Sequence, residues 1–319
     1  MALTLIMDIS VIICTYNRCE SLRQTLQTCC DLVIPEGVTW ELLVVDNNST
    51  DNTKQICEEF TGKLPLRYSF EPRQGLSCAR NRSIREATGE LLFFTDDDVD
   101  VDKYWLSSIW DGAQRHPEAV FFGGRVLPSW EKAPPDWVQD HLSSLLKWVL
   151  VYYNQGDAEH ALIIDGPTFY GANLVFRKKV FAVQSFREDI GRRPGTLMGG
   201  EDNEIQQSLM KENQQGFYLP TAIVHHRTPW ERTTERYVRK WFVGQGTKTV
   251  RVEGLPANVC YWFNTPRYLW RQLIASGIKY LLTRCTCPSR VWLPAEIQMA
   301  RTWGAICESR RLRRNQCQP

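Results

Sequence analysis

The stretch GLSCARNRSIREATGELLFFTDDD, residues 75–98, decides the fold. Residues 90–95 (ELLFFT) are nearly continuous apolar sequence, as in a strand buried on both faces. The helix-length segment before them opens at Gly75 and is expected to stop at Gly89. The run ends on Asp96-Asp97-Asp98. The same grammar holds further upstream. Residues 8–14 (DISVIIC) read as a buried strand, followed by a helix with Asn17 as its expected cap and Leu22 and Leu26 at i,i+4 spacing. Residues 40–45 (WELLVV) are a second strand, ending at Asp46. The polar turn DNNSTDNT then offers Thr50 or Asp51 as cap for the helix KQICEEF, and residues 66–70 are a third, weaker strand. Strict strand–helix alternation predicts a parallel sheet with crossover helices, so the first 125 residues or so read as a Rossmann-like α/β unit.

Beyond residue 125 the alternation breaks. Residues 121–126 read as a strand, and 128–137, with three prolines and two tryptophans, as a loop. Residues 165–177 and 219–226 are further strand regions. Between them a Gly-rich loop runs into a helix over 191–213. Trp130, Trp137 and Trp230 fit either stacking on a sugar face or packing of their own loop.

Composition narrows the class. The chain has 319 residues, 43% apolar and 23% charged, which is ordinary globular composition. No run approaches the ~18 apolar residues of a membrane span, and the N-terminal run lacks the basic flank of a signal peptide. The 11 cysteines are odd in number, with none between Cys78 and Cys260; reduced cytosolic thiols are expected rather than a disulfide framework. Cys285 and Cys287 lack the second pair that a zinc site would need. Net charge is +2, but residues 265–319 carry ten Lys/Arg against Glu296 and Glu308, a local +8 that leaves −6 elsewhere. Nine of 12 tryptophans follow residue 129.

In open α/β sheets ligands bind beyond the carboxyl ends of the strands. Asp46, the Asp96-Asp97-Asp98 triplet and Glu201-Asp202 are expected at that edge. Adjacent carboxylates repel, and a divalent cation held by oxygen ligands, Mg²⁺ or Mn²⁺, would relieve the cost. The alternative is a solvated acidic loop capping the next helix. No G-x-x-x-x-G-K-[ST] and no G-x-G-x-x-G follows the first strand, which argues against P-loop enzymes and dehydrogenases.

Several ordered motifs carry a resemblance. VIICTYNR (11–18), VVDNNSTDNT (44–53), residues 75–106, GANLVFRKKVF (171–181), LMGGEDNEI (197–205) and HHRTPWER (225–232) together resemble family 2 glycosyltransferases of GT-A fold. The resemblance spans residue 8 to about Gly246. It implies a GT-A domain over 1–246, with a nucleotide-sugar half over 8–125 and an acceptor half over 126–246; beyond it, charge, tryptophan content and apolar spacing read as a basic, Trp-rich helical C-terminal segment over 247–319. By the resemblance, Asp46 contacts the base, Thr15 and Tyr16 line the nucleoside, and Arg80 lies near the nucleotide. Asp96 and Asp98 are the outer residues of a D-x-D motif, with Asp97 between them as a weaker candidate. Asp98, Asp96 and His226 are the implied metal set. Asp202 is the implied general base of an inverting, single-displacement transfer and Glu201 orients the acceptor or the base. Glu201 and Asp202 also suit a helix's first turn for dipole reasons alone.

The expected activity is metal-dependent transfer from a nucleotide sugar, UDP-sugar favoured, to a saccharide or lipid-linked saccharide in surface polysaccharide or glycolipid synthesis. A nucleotidyltransferase or an inactive binding scaffold are the rivals. For the tail, helices lying on an anionic membrane surface compete with a helical cap whose Arg stems snorkel. The expected location is cytoplasmic, on the inner face of the membrane. Nucleic acid is not an expected partner, because the acidic body would repel it.

Overall fold

The computed structural model describes residues 7–192 and 199–316. These fall into two units by contact. One comprises 7–129, 151–191 and 200–228; the other comprises 130–150, 192, 199 and 229–316.

The first unit is built on a nine-stranded sheet flanked by helices. Its opening half alternates β1 (Met7–Thr15), α1 (Cys19–Cys29), β2 (Trp40–Asp46), α2 (Thr53–Phe60), β3 (Leu66–Phe70), α3 (Leu76–Glu86) and β4 (Gly89–Asp96). Short β5 (Val99–Val101), α4 (Trp105–Arg115) and long β6 (Ala119–Trp130) follow, the last extending through Pro128 where a loop is expected. Then come β7 (His160–Ala161), β8 (Leu174–Arg177), α6 (Glu201–Lys211) and β9 (Gln215–Thr228); α5 (Asp136–Gln139) belongs to the other unit. Of the expected strand region 165–177, only the last four residues are extended, after a single 3₁₀ turn over Gly171–Asn173.

The strand order is β3-β2-β1-β4-β8-β6-β9-β5, with β7 on β9. β1 to β4 pair in parallel, whereas β8 enters antiparallel between β4 and β6. This is a mixed α/β sheet, parallel from β1 to β4. Ile9, Val11, Ile12, Ile13, Leu42–Val45 and Leu91–Phe94 are almost fully buried, which explains their unbroken apolar runs.

Two local expectations are corrected. Asn17 does not cap α1: its φ is +49, and its Oδ1 accepts from the Thr50 N–H at 2.7 Å. Asp51 serves both helix starts instead, accepting from Cys19 N at 2.9 Å and Thr53 N at 3.1 Å. Gly89 does not terminate α3, which ends at Glu86; it opens β4.

The second unit is helical: α5, α7 (Glu235–Glu253), α8 (Arg267–Thr283) and α9 (Ser289–Gln316), with a small hairpin of β10 (Tyr261–Trp262) and β11 (Thr265–Pro266). Gly246, where the resemblance fades, lies within α7. Trp130 and Trp137 pack against an apolar cluster containing Phe242, Trp292 and Leu293. Both are packing residues of this unit.

Candidate active site

Sheet register brings the acidic residues to one edge. Thr15, the last residue of β1, pairs with Asp46 on one side, and Cys14 pairs with Asp96 on the other. Asp46, Asp96 and the Asp97-Asp98 turn therefore stand at the carboxyl ends of adjacent parallel strands.

Asp46 is buried, with both oxygens engaged. Oδ1 accepts from the Ser49 N–H and Oδ2 from the Tyr68 hydroxyl, each at 2.8 Å. These bonds fix its orientation and leave lone pairs for a further donor. Burial, reinforced by Asp46, raises the Tyr68 pKa, so the phenol remains a donor. Asn47 pins the 71–75 loop, accepting from the Gly75 N–H at 2.7 Å and donating to the Arg73 carbonyl at 2.7 Å. Tyr16 follows Thr15 half-buried.

The aspartate triplet divides by function. Asp97 points inward, taking the Thr15 hydroxyl at 2.7 Å and Arg18 Nη1 at 2.6 Å. Burial pushes its carboxyl up to about 7, with Asp98 and Asp96 adding to the rise and Arg18 and Thr15 opposing it. Arg18 also reaches Asp98 Oδ2 at 2.9 Å. Burial disfavours the Arg18 charge, but Asp97, Asp98 and Asp96 outweigh it and raise its pKa. Part of the like-charge cost assigned above to a cation is thus met by Arg18 within the chain.

Asp98 Oδ1 lies 3.3 Å from His226 Nε2. β5 pairs antiparallel with β9, Val99 opposite His226, which holds this ring at the triplet while the neighbouring His225 pairs with Asp100. Arg227 braces the same turn, donating to the Asp97 carbonyl at 3.0 Å and the Thr25 hydroxyl at 2.7 Å and pairing with Asp100. Among the described residues, Asp96, Asp98 and His226 have metal-ligand spacing, their donor atoms lying within 4.8 Å of one another. Ligands on opposite sides of a Mg²⁺ ion at about 2.1 Å are about 4.2 Å apart, so this trio fits such an ion after a small closure. The two carboxylates are donors that suit Mg²⁺ or Mn²⁺, and the imidazole is a donor that other first-row divalent ions also take.

Arg80 is the inner hub. It projects from α3, is 4% exposed, and donates through Nη1 to Glu201 Oε1 at 2.8 Å. Burial disfavours its charge, but Glu201, then Asp202, Asp96 and Cys14, outweigh this and raise its pKa. A Cβ on Gly171 would lie 2.0 Å from Arg80 Nη2, so only glycine leaves room for the guanidinium there. Gly171 also donates its N–H to Asp202 Oδ2 at 2.9 Å. Gly200, the N-cap of α6, has φ +107, a conformation that favours glycine, and starts the helix so that buried Glu201 and half-buried Asp202 share its first turn. The Gln206 side chain fastens the facing segment, accepting from Phe169 N at 2.9 Å and donating to Phe169 O at 3.0 Å.

Thr15, Asp46, Asp96, Asp97, Asp98 and His226 thus form one edge cluster. Glu201 and Asp202 join it through the field of Arg80. Sequence reasoning missed Arg18, Asn47, Gly171 and Arg227. Arg18 and Asn47 sit inside quoted motifs, Asn47 directly after Asp46 and Arg18 two residues after Tyr16, and a cation at the end of the first strand's turn is the signal that could have found Arg18.

The chain is similar to known proteins of one family. The family model "Glycosyl transferase family 2" matches residues 10–183. A glucosyl-dolichyl phosphate glucuronosyltransferase of Haloferax volcanii is 24% identical over 227 residues, covering 69% of each chain. The succinoglycan biosynthesis protein ExoM of Rhizobium meliloti is 26% identical over 243 residues, covering 74% of this chain and 72% of that one. Among solved structures, a mannosyltransferase of Pyrobaculum calidifontis, determined with GDP-Man and Mn²⁺, is similar with a TM-score of 0.59 at 18% identity, covering 96% of this chain and 88% of that one. With its matched span running through Asp46, the aspartate triplet and the Gly171 turn, the chain belongs to glycosyl transferase family 2, as an enzyme of GT-A fold acting on nucleotide sugars.

Proposed function

We propose that the protein transfers a hexosyl group from a nucleotide sugar to a hydroxyl of a saccharide or lipid-linked saccharide, with inversion in a single displacement. The observation that supports this most is Arg80, buried and paired to Glu201 under the charge of both Asp202 and Asp96. It couples the donor edge to the helix that carries the base.

In this reading Asp46 accepts a ring N–H of the base, while Thr15 and Tyr16 border the nucleoside. Asp96, Asp98 and His226 hold Mn²⁺ or Mg²⁺, which when bound neutralises charge on the diphosphate. Asp97 holds Arg18 and Thr15 in place. The acceptor oxygen attacks the anomeric carbon as the bond to the diphosphate oxygen breaks. Asp202 takes the hydroxyl proton, its orientation fixed by the Gly171 N–H and its neighbour Glu201 anchored by Arg80. The relatives named for glucosyl-dolichyl phosphate and for succinoglycan support a glycan or lipid-linked acceptor. The neighbour solved with GDP-Man and Mn²⁺ supports a metal-bridged donor. UDP-sugars are the first donors to test, beside GDP-mannose.

The test is nucleoside-diphosphate release from a panel of UDP- and GDP-sugars, with Mn²⁺ or EDTA, plus saccharide and lipid-linked acceptors. Release that needs both a particular donor and a divalent ion supports the reading. No release from any donor, or equal release in EDTA, contradicts it.

A further inference from the structure

The helical unit carries an outward face with no partner among the described residues. Along α8, Leu269 and Ser276 are buried and Leu273 and Tyr280 half-buried, but Ile274 is 60% exposed, Ile278 55%, Leu281 74% and Leu282 71%. The 4-3 spacing of 267, 271, 274, 278 and 281 places Arg267 and Arg271 on the same stripe as the exposed aliphatics. A solvated stripe would ordinarily be polar. Just before the helix, Trp262 and Phe263 stand exposed at the tip of the β10–β11 hairpin, where Phe263 and Asn264 have φ +49 and +61. Arg267 lies over the Trp262 ring, 4.6 Å from its centroid.

The charge of this face is predominantly positive. α8 contains no acidic residue. The two acids of residues 265–319 are both buried and turned to cations: Glu296 to Arg239 at 3.0 Å, and Glu308 to Arg251 at 2.7 Å and Arg311 at 2.6 Å. Exposed Glu253 at the end of α7 is the acid that acts on this face, adding to the burial-driven rise of the Tyr268 pKa; against it, Arg267, Arg271 and Lys279 leave the face net positive. A cleft of about 310 Å³ opens at the start of α8, lined by Val259, Cys260, Arg267, Tyr268 and Arg271. A second copy of this face would bring like charges together. No helix among the described residues is long and apolar enough to cross a membrane.

We propose that α8 and the hairpin tip lie flat on an anionic lipid bilayer, as on the cytoplasmic leaflet. Ile274, Ile278, Leu281 and Leu282 enter the acyl boundary, Trp262 and Phe263 sit at headgroup depth, and Arg267 with Arg271 receives a lipid phosphate in the cleft. This goes beyond the transferase reading and does not depend on it.

Flotation of the full chain tests it, with vesicles of phosphatidylcholine alone and of equimolar phosphatidylcholine and phosphatidylglycerol. The chain floats with the anionic vesicles and not the neutral ones, and added salt weakens binding. The Arg267→Gln/Arg271→Gln double variant loses roughly 30-fold in partitioning, at about fivefold per cationic residue near the surface. Ile278→Asp/Leu281→Asp stays with the unbound fraction. Both variants alter exposed residues and retain the wild-type melting temperature. Absent flotation of the wild-type chain, or equal flotation of all three proteins, overturns the proposal. So does lipid-free dimerisation that the aspartate variant abolishes, which would make the occupant a second copy.

Discussion

Arg80 and Glu201, 121 residues apart in sequence, form a buried ion pair at 2.8 Å that joins α3 to the first turn of α6. Both side chains are about 5% exposed, so solvent screens little of the interaction. Removing one partner leaves a buried charge poorly compensated, which costs about 3–5 kcal/mol. Glu201→Gln is expected to destabilise the fold by about that much, less whatever Asp202 and Asp96 return to Arg80. Chemical unfolding measures it; a stability change indistinguishable from zero contradicts the hub.

Arg18 and the metal act on the same carboxylates. Arg18 is 38% exposed at its side chain, so its pairs with Asp97 and Asp98 are partly screened. Arg18→Gln is expected to lower the melting temperature without metal and to enlarge the rise that Mn²⁺ produces. Thermal melts of both proteins with Mn²⁺ and with EDTA give the comparison. An Mn²⁺ increment unchanged by the substitution contradicts shared neutralisation.

Glu41 provides a pH-dependent test of the sheet away from the site. It is 5% exposed and accepts from Ser10 Oγ at 2.6 Å, Thr88 N at 2.7 Å, Thr88 Oγ1 at 2.8 Å and Arg67 Nε at 2.8 Å. Burial pushes its pKa up, but these four donors outweigh it and hold the carboxyl below its usual range. A depressed folded pKa contributes stability above the unfolded value of about 4.3 that is lost as pH falls through the folded value. Glu41→Gln should therefore cost about 1–3 kcal/mol at neutral pH, since charged-acceptor bonds and buried donors are lost. The gap to wild type should narrow below pH ~4. Unfolding curves across that range check the sign; a gap that widens in acid refutes it.

Gly246 tests the close approach of α7 and α9. A Cβ there would fall 1.8 Å from the Arg301 carbonyl oxygen. Alanine gains about 1 kcal/mol in helix propensity, but backbone must shift to admit it, and overpacking of this kind costs about 1–3 kcal/mol. A lower melting temperature for Gly246→Ala is expected, and an equal or higher one contradicts the packing.

Much of the β1–β4 region is legible in sequence because its strands are buried on both faces. Residues 9–13, 42–45 and 91–94 carry an apolar signal that needs no neighbour to interpret. The carboxyl-edge positions of Asp46, Asp96 and Asp98 follow from strand ends alone. What is hidden depends on non-local partners. Nothing in LVFR (174–177) reveals that β8 inserts antiparallel beside β4. Asn17 looks like a cap, but its side chain goes to Thr50 across the edge while Asp51 does the capping. The triplet's repulsion is visible in sequence, yet the cation that answers it, Arg18, lies about 80 residues upstream. Trp130 and Trp137 read equally as sugar platforms or packing, and only the Phe242–Trp292 cluster decides between them.

The central claim, hydroxyl activation by Asp202, is tested most directly by Asp202→Asn, with transfer rate and donor affinity measured on one preparation. The substitution keeps the shape and the Gly171 contact at the remaining oxygen, gives up the Asn203 N–H bond at the other, and removes the basicity. General-base catalysis is worth about 10²–10⁴-fold, so the rate should fall by about that factor. Nucleoside-diphosphate affinity and melting temperature should stay near wild type. A folded Asp202→Asn enzyme that binds donor and transfers sugar at a near-normal rate would contradict the account.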